Sequence, residues 1–195
     1  MISIALQAIA LFAFRGDAIA SIKKMLSYQA LYVNAYAIGN DGLNFGHSLW
    51  GLLKVFLVSF HVFIPHKLWF IIYDVLIVAL LLYVFYIFYS KKFLDWQEIF
   101  VVCSISSLCP FVSADYKLIY FIIPFVMFFV SKTNRFRDFD RAYSFLFVLL
   151  MVPKNIPMKY FINSFPFDIS YAVISNPIII LIFCMLFVID IKKNV

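Results

Sequence analysis

Residues 67–90 form one long apolar run in which Asp74 is the only charge between Lys67 and Ser90, and that run more than any other feature limits what the chain can become. A helix needs about 20 predominantly apolar residues to cross a bilayer, within a tolerated range of roughly 17 to 25. Four further runs approach that length, at 97–113, 117–131, 142–153 and 172–190. The expectation is an all-α integral membrane protein, a polytopic bundle of about five to seven membrane helices with an extracytoplasmic interfacial helix region. The third and fourth runs are short, and Pro124 interrupts the third. Such segments tolerate lipid only where neighbouring helices or a polar cavity satisfy their backbone groups, which marks them as scaffold for a site.

Composition agrees with lipid as the solvent. Of 195 residues 65% are apolar and 13% charged, against nearly half and a quarter in a soluble domain. The 25 Phe and 12 Tyr suit a lateral surface that meets acyl tails and headgroups. A formal charge of +6 raises nucleic acid as a partner, but the basic residues punctuate apolar runs and form no continuous stripe. Nucleic acid is therefore excluded as the expected partner. Cys103, Cys109 and Cys184 lie in apolar runs, where thiols act as small hydrophobes, and their spacing fits no zinc pattern. His47, His61 and His66 give no metal signature either, so neither metal nor cofactor is expected.

Orientation follows from the basic residues, which collect in short cytoplasmic loops. Lys91 and Lys92 form one cluster, Lys132, Arg135, Arg137 and Arg141 a second, and Lys192 and Lys193 a third. With all three in the cytoplasm the five runs alternate without conflict. Residues 113–117, 154–171 and 15–66 then lie outside.

The whole chain reads as one membrane domain, 1–195, with a short first membrane helix at 1–14, an interfacial or re-entrant region at 15–66 and the helix bundle from 67 onward. A signal peptide is a poor match for residues 1–14, which lack a basic start and a small-residue cleavage site; a helix cut from a longer protein is the other possibility. Asp17 can cap a helix that Gly39 ends, before a turn at Asn40, Asp41 and Gly42. Tyr28, Tyr32 and Tyr36 recur every four residues and share a face, either an interfacial anchor or a platform for a sugar or lipid. A second amphipathic or re-entrant segment covers 49–63, its apolar character broken by Lys54 and His61.

The polar knot Ser113, Asp115, Tyr116 and Lys117, between Pro110 and Pro124, is the most informative short segment. Lys117 can offer a point charge to a phosphate, Tyr116 a ring and hydroxyl, and Asp115 a general base or a partner for Lys117. The alternative is a solvated hairpin with a local ion pair. Asp74, within an apolar run, is a functional candidate or a carboxylate that snorkels to the interface. Lys154, Lys159 and Asp168 can approach a phosphate or acceptor, or sit in an ordinary wet loop. No Ser-His-Asp order and no Gly-rich phosphate cradle is present in the sequence.

The segment from Pro110 to Pro124, especially Ser113-Ala-Asp-Tyr-Lys-Leu118, resembles the corresponding hairpin of glycosyltransferase family 87, polytopic GT-C enzymes that take sugars from polyprenyl-phosphate carriers. A second stretch, Asn44-Phe-Gly-His-Ser-Leu-Trp-Gly-Leu-Leu-Lys54, resembles that family's extracytoplasmic Asn and Ser-Leu motif. The resemblance implies inverting transfer of a hexose from a polyprenyl-phosphate sugar to a lipid or glycan acceptor, at an extracytoplasmic face of a bacterial inner membrane. It implies a donor site at Asn44, His47, Ser48, Ser113, Asp115, Tyr116 and Lys117. GT-C enzymes carry an acidic base in the first extracytoplasmic loop, well upstream of these motifs. Asp17 is the one weak candidate here, so the chain resembles the C-terminal half of the family and alone is expected to transfer no sugar. A non-catalytic transporter or lipid-flipping subunit would use the same basic and aromatic residues.

Overall fold

Runs of apolar residues bounded by charge or proline become helices, because an apolar environment leaves the backbone no other partner for its N–H and C=O groups. The computed structural model describes residues 18–39, 47–60, 66–90, 93–111, 113, 115–131, 139–154, 156–157 and 169–193. Among these, every extended element is helical; Pro157 and Ser170 form an isolated bridge. By its contacts the chain divides into a unit Met1–Gly42 and a unit Leu43–Val195. The division falls inside the stretch 15–66 that the sequence suggested as one region.

In the first unit, α1 (Ala18–Tyr32) passes into a π-helix, Val33–Ile38. Gly39 ends it as expected, though not by a left-handed turn. Its N–H donates to the Asn34 carbonyl at 2.8 Å, and a Cβ here would collide with the Ala35 carbonyl and come within 2.9 Å of the Asn34 oxygen. Only glycine permits that approach. On the tyrosine face, the Tyr32 and Tyr36 rings lie 4.8 Å apart, and the Lys24 ammonium sits 5.7 Å from the Tyr28 ring. Asp17, the expected cap, lies outside the described residues, as does residue span 1–14.

In the second unit, α2 (Leu49–Ser59), α3 (His66–Ser90), α4 (Asp95–Leu108), a 3-10 turn (Asp115–Phe121) leading into α5 (Ile122–Val130), α6 (Asp140–Met151) and α7 (Ala172–Lys193) follow in order. Two are long and apolar enough to cross a membrane, over Leu68–Tyr89 in α3 and Ala172–Asp190 in α7. Pro124 does not interrupt its helix. It occupies the first turn of α5, where an N–H has no intrahelical partner to lose, and the chain ahead of it winds as the tighter 3-10 form. Helix α4 starts earlier than expected because Asp95 and Glu98 meet the positive end of its dipole. The Gln97 side chain also accepts the Leu94 N–H at 3.0 Å.

The core is aromatic. Helix α4 presents Trp96 and Phe100, α6 presents Tyr143 and Phe147, and α7 presents Phe183 and Phe187, each pair spaced to share one helical face. The three faces converge: Phe100 lies 4.3 Å from Phe183, Phe147 lies 4.7 Å from Phe183, and Trp96 lies 5.2 Å from Tyr143, centroid to centroid. Phe121 and Phe128 close the cluster from the 3-10 turn and α5. Much of the phenylalanine that composition alone assigned to a lipid-facing surface is thus the packing that joins the helices. Helix α3 is the opposite case. Only 6% of its span is buried: Ile71, Val75, Val78, Leu82, Phe85 and Tyr86 share an exposed face, while Tyr73 is buried on the other side and Val84 and Phe88 there pack against the core.

Candidate functional site

The two stretches that carry the family resemblance meet in space. The His47 N–H donates to the Ser113 carbonyl at 2.8 Å, and Ser48 Oγ donates to the Phe111 carbonyl at 3.0 Å. Ser48 is also the N-cap of α2, because its Oγ accepts the Gly51 N–H at 3.0 Å. This serine therefore fastens one segment to the other while starting a helix, a positioning task that leaves its hydroxyl engaged as both donor and acceptor.

Beneath this clasp lies a ring cluster. Trp50, two residues after Ser48, packs on Phe70 at 5.0 Å, Tyr73 at 5.2 Å and Phe111 at 5.5 Å. The Tyr73 hydroxyl lies 2.9 Å from the Cys109 carbonyl and 3.1 Å from that of Leu108, so its proton serves the carbonyls left open where α4 ends. These contacts hold the start of α3 against the clasp.

A polar chain then extends from His47 to α7. Asn176 Nδ2 lies 2.9 Å from His47 Nδ1, and Lys154 Nζ donates to Asn176 Oδ1 at 2.8 Å. The ammonium also donates to Val152 O at 3.0 Å and, more weakly, to Leu150 O at 3.4 Å. Those carbonyls belong to the end of α6, where a cation is favoured by the helix dipole as well. Burial holds the Lys154 pKa below the ordinary lysine range. Its own carbonyl accepts from Ser170 Oγ at 3.3 Å, whose oxygen in turn accepts the Ala172 N–H at 3.3 Å at the start of α7. Lys154 was expected either to approach a phosphate or to lie in a wet loop; the structure instead half-buries it and fills its three N–H donors with protein oxygens.

His47, Ser48, Ser113 and Asn176 are each at most 1% exposed. The Ser113 hydroxyl has no hydrogen-bond partner among the described residues. A buried hydroxyl in that state costs stability, on the order of 1 to 3 kcal/mol, and is suited to a ligand oxygen that completes it.

Of the other candidates, Lys117 is half-buried and its Nζ reaches back to the Ser106 carbonyl at 3.4 Å, in the last turn of α4. That contact is long enough to exchange for a stronger acceptor. Asp115 and Tyr116 enter as backbone of the 3-10 turn, and their side chains lie outside the description. Asn44, His61, Lys159 and Asp168 also lie outside the described residues, and no group of His, Cys, Asp and Glu able to hold a metal occurs among those described. Asp74 is exposed on α3.

Sequence reasoning missed Asn176. It sits in an apolar run and adjoins Pro177, which lacks the N–H that would bond the Val173 carbonyl. An amide beside a helix-interior proline near the end of an otherwise apolar span was the available signal. Gly51 was likewise unremarked: it lies where α2 packs against α7, and a Cβ there would make ordinary contacts, 3.5 Å from Val173 Cγ1 and 3.4 Å from Ser48 Oγ.

No family model, characterised protein or solved structure matches this chain.

Proposed function

We propose that the chain is a multi-pass membrane protein, a helical bundle of about five to seven spans. On this reading it is the membrane portion of a glycosyltransferase that moves a hexose from a polyprenyl-phosphate sugar to a lipid or glycan acceptor. The transfer takes place on the extracytoplasmic side of a bacterial inner membrane. The observation that carries this is the clasp. Segments resembling two separate motifs of glycosyltransferase family 87 are hydrogen-bonded to one another through His47, Ser48, Phe111 and Ser113. Had the two likenesses been accidents of composition, nothing would require them to meet.

At such a site Lys117 would leave its weak contact with α4 for the donor phosphate. A cation fixed beside the phosphate favours departure of the charged leaving group, which is how a preorganised electrostatic site lowers a barrier. Tyr116 and Asp115, adjoining it in the 3-10 turn, complete the proposed donor site.

A transporter or lipid-flipping subunit is the second reading, and one observation favours it. Asp74 is a carboxylate within a span that is otherwise apolar, and ionisable residues within membrane spans mark ion and substrate pathways.

The test is binding of a polyprenyl phosphate to the protein in nanodiscs. A charge-assisted contact contributes about 1.5 to 3 kcal/mol, so Lys117→Gln should weaken binding by ~10-fold or more. Arg141→Gln, in the expected cytoplasmic cluster, should leave it nearly unchanged. Equal losses from both substitutions would mean that the cations act only as general surface charge, and the donor-site assignment would fail.

A further inference from the structure

The chain Lys154, Asn176 and His47 fixes more than position, because each link dictates the hydrogen count of the next. An ammonium has three donors and no acceptor, so the Asn176 branch 2.8 Å from Lys154 Nζ must be the oxygen. The other branch, the NH2 group, then faces His47 Nδ1 at 2.9 Å. A donor aimed at a ring nitrogen requires a lone pair there. In the neutral imidazole the single proton is consequently on Nε2.

Three features keep this order from reversing. The Lys154 ammonium is anchored independently by the Val152 and Leu150 carbonyls, so it is not free to follow a rotated amide. Asn176 and His47 are each 1% exposed, which denies water the chance to replace either partner. His47 is held at its backbone as well, through its N–H to the Ser113 carbonyl at 2.8 Å.

We infer that Lys154 and Asn176 are positioning residues that lock His47 in the Nε2–H tautomer, so that Nε2 is a hydrogen-bond donor and not a base. The inference stands on the hydrogen bonds alone and holds whichever function is correct. It has a chemical consequence for the sugar-transfer reading: a histidine so held cannot serve as the base by taking a proton at Nε2, and the deprotonating group must be another residue.

The experiment is 15N NMR of the full chain in micelles, labelled at histidine, in a background where His61→Gln and His66→Gln leave His47 as the one imidazole. The expected spectrum has a protonated Nε2 and a bare Nδ1. Asn176→Asp, nearly isosteric, replaces the donor by a carboxylate that accepts from Nδ1–H while still pairing with Lys154, so the proton should move to Nδ1. Lys154→Met frees the amide to rotate and should populate both tautomers. A bare Nε2 in the parent protein would overturn the inference without reference to any variant. A parent spectrum as expected but unchanged in both Asn176→Asp and Lys154→Met would also overturn it, since something other than the chain would then be setting the tautomer.

Discussion

Replacing Leu82 by aspartate will cut insertion of the α3 segment into a bilayer by about two orders of magnitude. Leu82 is 65% exposed in the Leu68–Tyr89 span, so the new carboxylate would face whatever solvent surrounds the helix. Aspartate near a span centre is unfavourable by about 2.5 to 3.5 kcal/mol and leucine slightly favourable, which sums to roughly 3 to 4 kcal/mol. At about 1.4 kcal/mol per tenfold, that is a factor of some hundreds. The short side chain cannot reach the interface as a lysine or arginine would. Asp74→Leu should move insertion in the other direction. An assay that scores the inserted fraction of a reporter carrying α3 checks both. If the parent segment inserts poorly and Leu82→Asp changes nothing, α3 does not face lipid.

Phe147→Ala will give the largest loss of folded stability among single truncations in the second unit. The Phe147 ring is fully buried, with centroids of Phe183 at 4.7 Å, Phe125 at 5.3 Å and Phe100 at 5.6 Å. Between helices in lipid the solvent is as apolar as the side chain, so the stabilisation is contact and shape, with little from hydrophobic transfer. A cavity among these rings forfeits those contacts outright, at about 3 to 5 kcal/mol. Leu82→Ala should cost less than ~0.5 kcal/mol, because acyl chains refill the space on the exposed face. Unfolding midpoints in micelles for the pair decide it. Equal losses would mean that α3 is packed as tightly as the core.

Much of this architecture was legible in the residues. The apolar run at 67–90 became α3, His66–Ser90, and the run at 172–190 became α7, Ala172–Lys193, because charges bound each run and hydropathy alone decides such lengths. The shorter elements were less readable. The run expected at 97–113 stops at Leu108, since Pro110 lacks the N–H that would bond the Ser106 carbonyl, although Cys109 before it keeps helical backbone. The spacing of Trp96 with Phe100, Tyr143 with Phe147 and Phe183 with Phe187 was visible. What hydropathy could not separate was a ring facing lipid from one facing another ring, because both environments are apolar.

The candidate site divides in the same way. Ser113 stood out as a polar residue between apolar runs, His47 and Ser48 only through the family resemblance, and the fold does bring the three together. Asn176 did not, because its partner His47 lies 129 residues away and only packing of α2 against α7 makes the pair. Lys154 was noticed for its charge and assigned to a loop. That α6 ends beside it, offering carbonyls, is a property of helix length that no local pattern records.

The most direct measurement is the sidedness of two exposed positions at opposite ends of the proposed bundle. Single cysteines at Asp95, beside the Lys91 and Lys92 cluster, and at Ile156, in the loop before α7, would be labelled by an impermeant reagent in intact cells after Cys103, Cys109 and Cys184 are replaced. The account predicts that Ile156→Cys reacts at once, and that Asp95→Cys reacts only when the membrane is opened. Reaction of both from the same side would contradict it.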